Sequence, residues 1–579
     1  MSETLKIVIA QINPMVGDID ANVEKVISMA NQARDIHQAH LVLFPELTLT
    51  GYPPEDLLLR PSLELRINHA LDYLQRNIKD VAVIVGCPLS KPLCNERTEN
   101  NTKLKPEELY NAAVLISDGE ICHRYYKQHL PNYQVFDEVR YFIPGPAEQN
   151  PIVFNLQGVD LAISICEDIW FSDTITRAKA AGAQLMLNLN ASPYHQGKHR
   201  ERQEALIKRF QESTMPIVYA NMVGGQDELV FDGGSMVCNE KGEICFTAPF
   251  FTEGLFPFEF QNRLVEDKPE QTVQSKKLEL VASSLPESGS ELSEDAMLYQ
   301  ALTLGLKDYI EKNRFKGIVL GLSGGIDSAL SLTIAVDALG ADRVEAVMMP
   351  FHYTSQMSLE DAEAEAIALG VKYRVLPIAD IYDAYINTLD PIFKDLKDND
   401  KDTTRENLQA RCRGVLLMAL SNKLGHMVLT TGNKSEMAVG YATLYGDMIG
   451  GFNALKDVYK TKVFSLADYR NSLTSTEVIP QRVIDRPPSA ELAPGQKDED
   501  SLPPYSDLDK ILEYYIEYDY SAQAIANEGF DLDTVKHIVR LVDLNEYKRS
   551  QSPIGVRVTR RGFGKDRRYP ITSRWPAGD

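Results

Sequence analysis

The stretch GIVLGLSGGIDSAL, Gly317 to Leu330, joins an apolar run to a glycine pair and then to a helical pattern. A strand, a glycine loop and a helix in that order predict a parallel-sheet α/β unit, with its ligand at the strand's carboxyl end. The usual nucleoside-triphosphate loop ends in Gly-Lys-Ser/Thr, and its lysine holds the outer phosphates. Here Asp327 and Ser328 stand in that place, and no lysine follows. The backbone N–H groups of Ser323 to Ile326, backed by the helix dipole, predict an anion cradle. Asp327 would repel bare phosphate. The loop is therefore expected to grip pyrophosphate through a magnesium ion held by Asp327, which suits attack at an α-phosphate.

Working outward, RVEAVMMP, YRVLPI and MVLTTGN also read as strands. Helical patterns such as SLEDAEAEAIALG and ENLQARCRGVLLMALSNKLG separate them. Repetition of strand and helix predicts a parallel sheet. TTGNKSE puts Thr431 and Glu436 at a strand's carboxyl end, where Thr431 could hydrogen-bond a nucleotide and Glu436 could share the magnesium. Alone, Glu436 reads as a solvated carboxylate at a helix start. The basic tail TRRGFGKDRRYPITSR, in an otherwise acidic chain, is a candidate clamp over an anionic nucleotide.

Upstream, LKIVIAQI, HLVLFPE, VAVIVGCP, NAAVLIS, VDLAISICE, AQLMLNLNAS and MPIVYANMVG read as buried strands. GGSMVCNEKGEICFTAP reads as a hairpin around Glu240–Gly242. The polar run from Val265 to Asp295, with two prolines and no sustained period, reads as a linker. The expected division is thus a domain over 1–262, a linker over 263–295 and a domain over 296–579. Within the first half, Glu46 follows a buried strand, Lys127 precedes a Pro-Asn turn, and Cys166 ends an apolar strand. Singly, each has a bland explanation, since a buried cysteine is more often inert core. Together they fit a constellation in which thiolate attacks, carboxylate moves protons and ammonium stabilises an oxyanion.

At 579 residues the chain exceeds one ordinary domain. Its net charge of −22 weighs against non-specific binding to nucleic acid or anionic membrane. Seven cysteines without a C-x-x-C pair fit neither a disulfide framework nor a zinc site. With no signal-peptide pattern at the first residues, a cytoplasmic protein with reduced thiols is expected.

The first half resembles the nitrilase superfamily, and SGGIDS resembles the ATP-pyrophosphatase loop of adenylating amidotransferases. Their pairing is similar to the glutamine-dependent NAD+ synthetase family, through KQHLPNYQVFDEVRYF, NASPYHQGKHRERQ, ENLQARCRG, TTGNKSEMAVGYATLYGDMIGGFNALKDVYKT and DRPPSAEL. The resemblance implies an α/β fold: a nitrilase-like α-β-β-α sandwich, then a parallel-sheet adenine nucleotide α-hydrolase-like domain. It implies Cys166 as glutaminase nucleophile, Glu46 as general base and Lys127 as oxyanion partner. It also implies that Tyr133, Ser192 and Lys198 hold glutamine, with Glu138 in support. Gly321, Leu322, Ser323, Gly324, Gly325, Ile326, Asp327, Ser328 and Thr431 would bind ATP. Asn407, Glu436 and Lys565 would contact nicotinic acid adenine dinucleotide, with Arg567 and Arg568 as alternatives to Lys565. The metal implied is Mg2+, at Asp327 and Glu436. The partners implied are small-molecule substrates, with no nucleic acid or membrane, in a homo-oligomeric ligase.

One departure is SKPLCNERTENNTKLKPEE, longer than expected between Glu46 and Lys127 and polar enough for a surface insertion. A competing reading is a nitrilase-type amide hydrolase whose second half only senses nucleotide. It could form neither pyrophosphate nor AMP. Free ammonia is mostly protonated at neutral pH, so an enclosed path between two active sites is physically sensible.

Overall fold

The computed structural model describes residues 4–90, 109–146, 151–265, 275–396, 402–488, 502–576 and 578. The long polar insertion of the sequence lies outside these residues. The chain divides into two compact units, one of 1–226 with 230–291 and the other of 227–229 with 292–579.

The first unit holds a seven-stranded and a six-stranded sheet. In the interior of the larger one, Thr4–Gln11 pairs parallel to Leu41–Leu43 and antiparallel to Gly254–Val265. In the smaller one, Val159–Ile165, Leu185–Asn190 and Ile217–Asn221 run parallel side by side. Strand periodicity explains the packing. Leu161, Ile163, Ile165, Leu187 and Leu189 meet Leu5, Ile7, Ile9 and Leu43 between the sheets. Ala162, Met186, Ile217 and Tyr219 turn the other way, against Ile175, Ala178 and Leu206 of the outer helices Ser172–Ala180 and Lys198–Ser213. These strands are covered on both faces, which is why they read as unbroken apolar runs. The hairpin forms as expected, from Met236–Cys238 and Ile244–Thr247.

The linker expectation needs correction. Ser275–Leu280 is an edge strand, antiparallel to Gly254–Val265, and the first unit extends to Glu291. Lys277 on this strand is exposed and Leu278 is buried in the core, as a strand at a sheet's edge allows.

The second unit is built on five parallel strands, ordered Lys372–Val375, Val344–Met348, Ile318–Gly321, Met427–Thr430 and Phe452–Asn453. Helices Ile326–Leu339, Gln356–Leu369 and Thr404–Leu424 connect these strands, as the alternating pattern predicts. A separate apolar cluster joins Met437 and Val439 to Leu508, Leu512, Ile525, Val535 and Val539.

That cluster lies beside an ion centre around Lys434, whose side chain is fully enclosed. Its ammonium meets Asp457 at 2.9 Å and Glu517 at 3.1 Å. It also donates to Thr559 Oγ1 at 2.7 Å and to the Arg561 carbonyl at 3.1 Å. Asp457 in turn accepts from the N–H groups of Val558 and Thr559, each at 2.8 Å. One buried cation thus ties the TTGNKSE helix to the basic tail.

Candidate active sites

In the first unit, Glu46, Lys127 and Glu138 form one enclosed cluster. Lys127 Nζ donates to Glu46 Oε1 at 2.7 Å and to the two Glu138 oxygens at 2.8 and 2.9 Å. Asn111 Nδ2 donates to Glu46 Oε1 at 2.7 Å, and the Ala191 N–H to its other oxygen at 3.0 Å. Tyr52 donates to Glu138 at 2.9 Å. Burial alone would lower the Lys127 ammonium, but Glu138 and Glu46 outweigh it and hold the group well above its usual value. Burial pushes the Glu138 carboxyl up to about 7, against the pull of Lys127.

Cys166 stands where Val159–Ile165 ends, at φ 42°. A left-handed conformation at a non-glycine residue costs on the order of 1–3 kcal/mol and persists only where its surroundings impose it. Burial first, then Glu46, pushes its thiol well above the ordinary value, with Lys127 opposing. The resting group is therefore a thiol and needs a base at the moment of attack.

The expected glutamine contacts gather around it unequally. Tyr133 is half exposed and donates to both Glu167 oxygens at 3.0 Å. Ser192 is buried, its Oγ accepting from Arg202 Nε at 3.1 Å. Lys198 sits 4.4 Å over the Trp170 ring and 3.1 Å from Glu201. Burial lowers the Lys198 ammonium, while Glu201 opposes. Glu138 belongs with Lys127 rather than with these residues. Glu167 escaped the sequence reading because it is masked by the neighbouring cysteine. Its buried carboxylate and the Lys198 ammonium give the site both charges that an amino-acid zwitterion requires.

In the second unit, a cavity of about 500 Å3 is lined by Gly321, Leu322, Ser323, Gly325, Ile326, Asp327, Ser328, Thr431, Asn407 and Glu436. Gly324 supports it from behind. Its φ is 78°, and a Cβ there would come within 2.4 Å of the Ser358 carbonyl oxygen. The cradle's donors are partly engaged, since the Ser323 N–H reaches Ser328 Oγ at 3.2 Å and the Gly325 N–H reaches Ser323 Oγ at 3.2 Å.

A lysine from another part of the chain reaches the loop. Lys460, itself buried, donates to Asp327 and, at 3.1 Å, to Glu436. Asn433 donates to the other Asp327 oxygen at 2.8 Å. Burial would lower the Lys460 ammonium, but Asp327 and Glu436 raise it well above its ordinary value. Two carboxylates converge on one positive charge, and such oxygen donors suit Mg2+, which takes one or two carboxylates beside substrate phosphates. Among the described residues no cluster of three or more metal-ligating side chains exists. Sequence spacing gave no sign of Lys460, which lies 133 residues from Asp327.

The tail differs from expectation. Lys565 is exposed and is not among the residues lining that cavity. Arg567 is buried, paired to Glu546 and stacked 3.7 Å over the Tyr569 ring. Arg568 is exposed and donates to the Lys565 carbonyl at 3.0 Å. Cations that do line the cavity include Lys460, Arg413, Arg486 and Lys548.

The carbon–nitrogen hydrolase family model matches residues 6–268, and the NAD synthase model matches residues 298–552. The chain is 47% identical over 577 residues to a glutamine-dependent NAD(+) synthetase of Acinetobacter baylyi, covering 100% of both chains. It is 43% identical to the protein of that name from Thermotoga maritima, covering 99% of both. A solved glutamine-dependent NAD+ synthetase of Acinetobacter baumannii, in complex with ADP, is 46% identical with a TM-score of 0.74 and full coverage of both chains.

Proposed function

The chain belongs to the glutamine-dependent NAD+ synthetases, and on that premise we propose how its residues divide the work. Cys166 attacks the side-chain amide of glutamine, releasing ammonia and leaving a thioester that water cleaves. Glu46 takes the thiol proton and returns it to the departing nitrogen. Lys127, kept charged by its two carboxylates, stabilises the developing oxyanion. Glu167 and Lys198 suit the amino and carboxylate ends of glutamine, with Tyr133 and Ser192 beside them.

In the second unit, the nicotinate carboxylate of nicotinic acid adenine dinucleotide attacks the α-phosphorus of ATP, expelling pyrophosphate. Ammonia then displaces AMP and leaves NAD+. Gly321–Ser328 and Thr431 cradle ATP, and Asn407 and Glu436 face the dinucleotide. Asp327 and Glu436 would hold Mg2+, which when bound supplies charge neutralisation to the leaving pyrophosphate. Lys460 delivers a positive charge to the same place. Because Lys565 does not line the cavity, Arg413 and Lys548 are better candidates for contacts to the anionic dinucleotide. The same reading puts this enzyme in the cytoplasm as a homo-oligomer acting on small molecules, without nucleic acid or membrane.

The observation that carries this reading is the convergence of Asp327, Glu436 and Lys460 on the glycine loop, an arrangement made for a charged leaving group rather than for sensing. The test is the product set. With glutamine, Mg2+ and the dinucleotide, ATP is expected to yield AMP and pyrophosphate in step with NAD+. Formation of ADP and phosphate, or glutamine hydrolysis without AMP, would favour the simple amide hydrolase.

Lys127→Ala provides a second check. Loss of one preorganised oxyanion donor costs about 3–4 kcal/mol, so glutamine turnover should fall on the order of a hundredfold or more. Ammonia-driven synthesis should continue. The variant also leaves two buried carboxylates without their cation, so its melting temperature should drop. A fall in turnover of less than about tenfold would remove Lys127 from the oxyanion role.

A further inference from the structure

We propose that Asp168 is the positioning residue that sets Lys127 against Cys166, an inference that rests on reading Cys166 as the nucleophile. Asp168 is fully buried. One of its oxygens accepts from the backbone N–H groups of Gln128 at 3.0 Å and His129 at 2.9 Å. The other accepts from the Tyr125 hydroxyl at 2.8 Å and from the Ile165 N–H at 3.1 Å. The four donors come from two places. Tyr125, Gln128 and His129 flank Lys127 at the end of strand Glu120–Tyr126, in the seven-stranded sheet. Ile165 ends a strand of the six-stranded sheet and directly precedes Cys166.

A single carboxylate therefore holds the segments that carry the ammonium and the thiol. Both need holding. Lys127 must keep its charge aimed at the oxyanion, and Cys166 sits in a left-handed conformation that its own backbone does not favour. A buried carboxylate with four donors is satisfied, whereas removing its charge leaves donors orphaned in an enclosed site. Asparagine cannot substitute. It has one acceptor oxygen, so its NH2 group must face either the Gln128 and His129 pair or the Ile165 N–H. The clasp would open on one side while the side chain's volume stayed the same.

The experiment uses the full chain and measures glutamine hydrolysis in the presence of ATP, Mg2+ and dinucleotide, beside ammonia-driven synthesis. Misplacing reacting groups by about 1 Å costs roughly a hundredfold, so Asp168→Asn should lower the glutaminase kcat on that order. Its KM for glutamine should move far less than kcat, because the bonds of Asp168 go to Tyr125, Gln128, His129 and Ile165 and not to Tyr133, Glu167, Ser192 or Lys198, and ammonia-driven synthesis should be unchanged. Tyr125→Phe removes one donor of four and should lower kcat less, again with the smaller change in KM. If Asp168→Asn does not fold, Tyr125→Phe decides alone. An unchanged kcat in whichever variant folds overturns the proposal. So does a loss shared equally by KM or by ammonia-driven synthesis, which would make Asp168 a general stabiliser. Cys166→Ala is run in parallel: if it still hydrolyses glutamine, the nucleophile reading fails and takes this proposal with it, whereas its inactivity beside a fully active Asp168→Asn refutes the positioning role alone.

Discussion

Cys166→Ala is expected to reduce glutamine-driven NAD+ synthesis to background while ammonium at high concentration still supports the reaction. Removing the nucleophile of a catalytic constellation costs on the order of a millionfold in turnover, because the other members act through it. The substitution deletes one sulfur at a buried site and leaves Glu46, Lys127 and Glu138 bonded to one another. Their ion cluster does not need the thiol, so the fold should survive. The measurement is NAD+ formation from each nitrogen source, with glutamate release followed separately. Persisting glutamate release would show that Cys166 is not the nucleophile. Loss of ammonia-driven synthesis in a folded variant would show that the two chemistries are not separable.

Asp327→Asn should have the second largest effect, and it acts on both nitrogen sources. The substitution retains size and hydrogen bonding but removes one of the two carboxylates around Lys460. If Asp327 merely repelled phosphate, its neutralisation would tighten ATP binding. If it anchors cation and leaving group, synthesis should fall about a hundredfold to a thousandfold, the range for a lost electrostatic contact at a reacting centre. More Mg2+ should recover part of the activity, and equilibrium titration should show weaker Mg2+-dependent binding of ATP. Glutamine hydrolysis at Cys166 should persist. A folded variant with unchanged synthesis and unchanged Mg2+ dependence would refute the shared-anchor account.

The parts of this protein that were legible in its sequence share one physical property: they are locally encoded. Strands covered on both faces, such as Val159–Ile165 and Ile318–Gly321, read as apolar runs. The glycine loop is a contiguous motif, and its chemistry follows from Asp327 standing where a lysine would be. What escaped was set by tertiary distance or by edges. Glu120–Tyr126 alternates exposed and half-buried side chains over most of its length, and Ser275–Leu280 is polar, so neither shows the apolar run of an interior strand. Lys460 looks like any lysine in DVYKTKVF until folding sets it between Asp327 and Glu436. Asp168 is likewise one more acid beside a cysteine until its four donors are known. The tail misled in the opposite sense. Its basic composition suggested a clamp, yet Arg567 uses its charge internally, on Glu546.

The Lys434 centre bears on how the chain can be handled at its far end. Two of the ammonium's partners, Thr559 and Arg561, lie within about twenty residues of the last position. A chain shortened before Val558 would lose both, together with the N–H groups that cap Asp457, and would expose a buried charge network. Each buried group left without its hydrogen-bond partner costs about 1–3 kcal/mol, a large fraction of a domain's typical net stability. The carboxyl-terminal segment is in that sense a plug rather than an appendage. Deletions there that look harmless on the sequence would unseat the helix that carries Glu436.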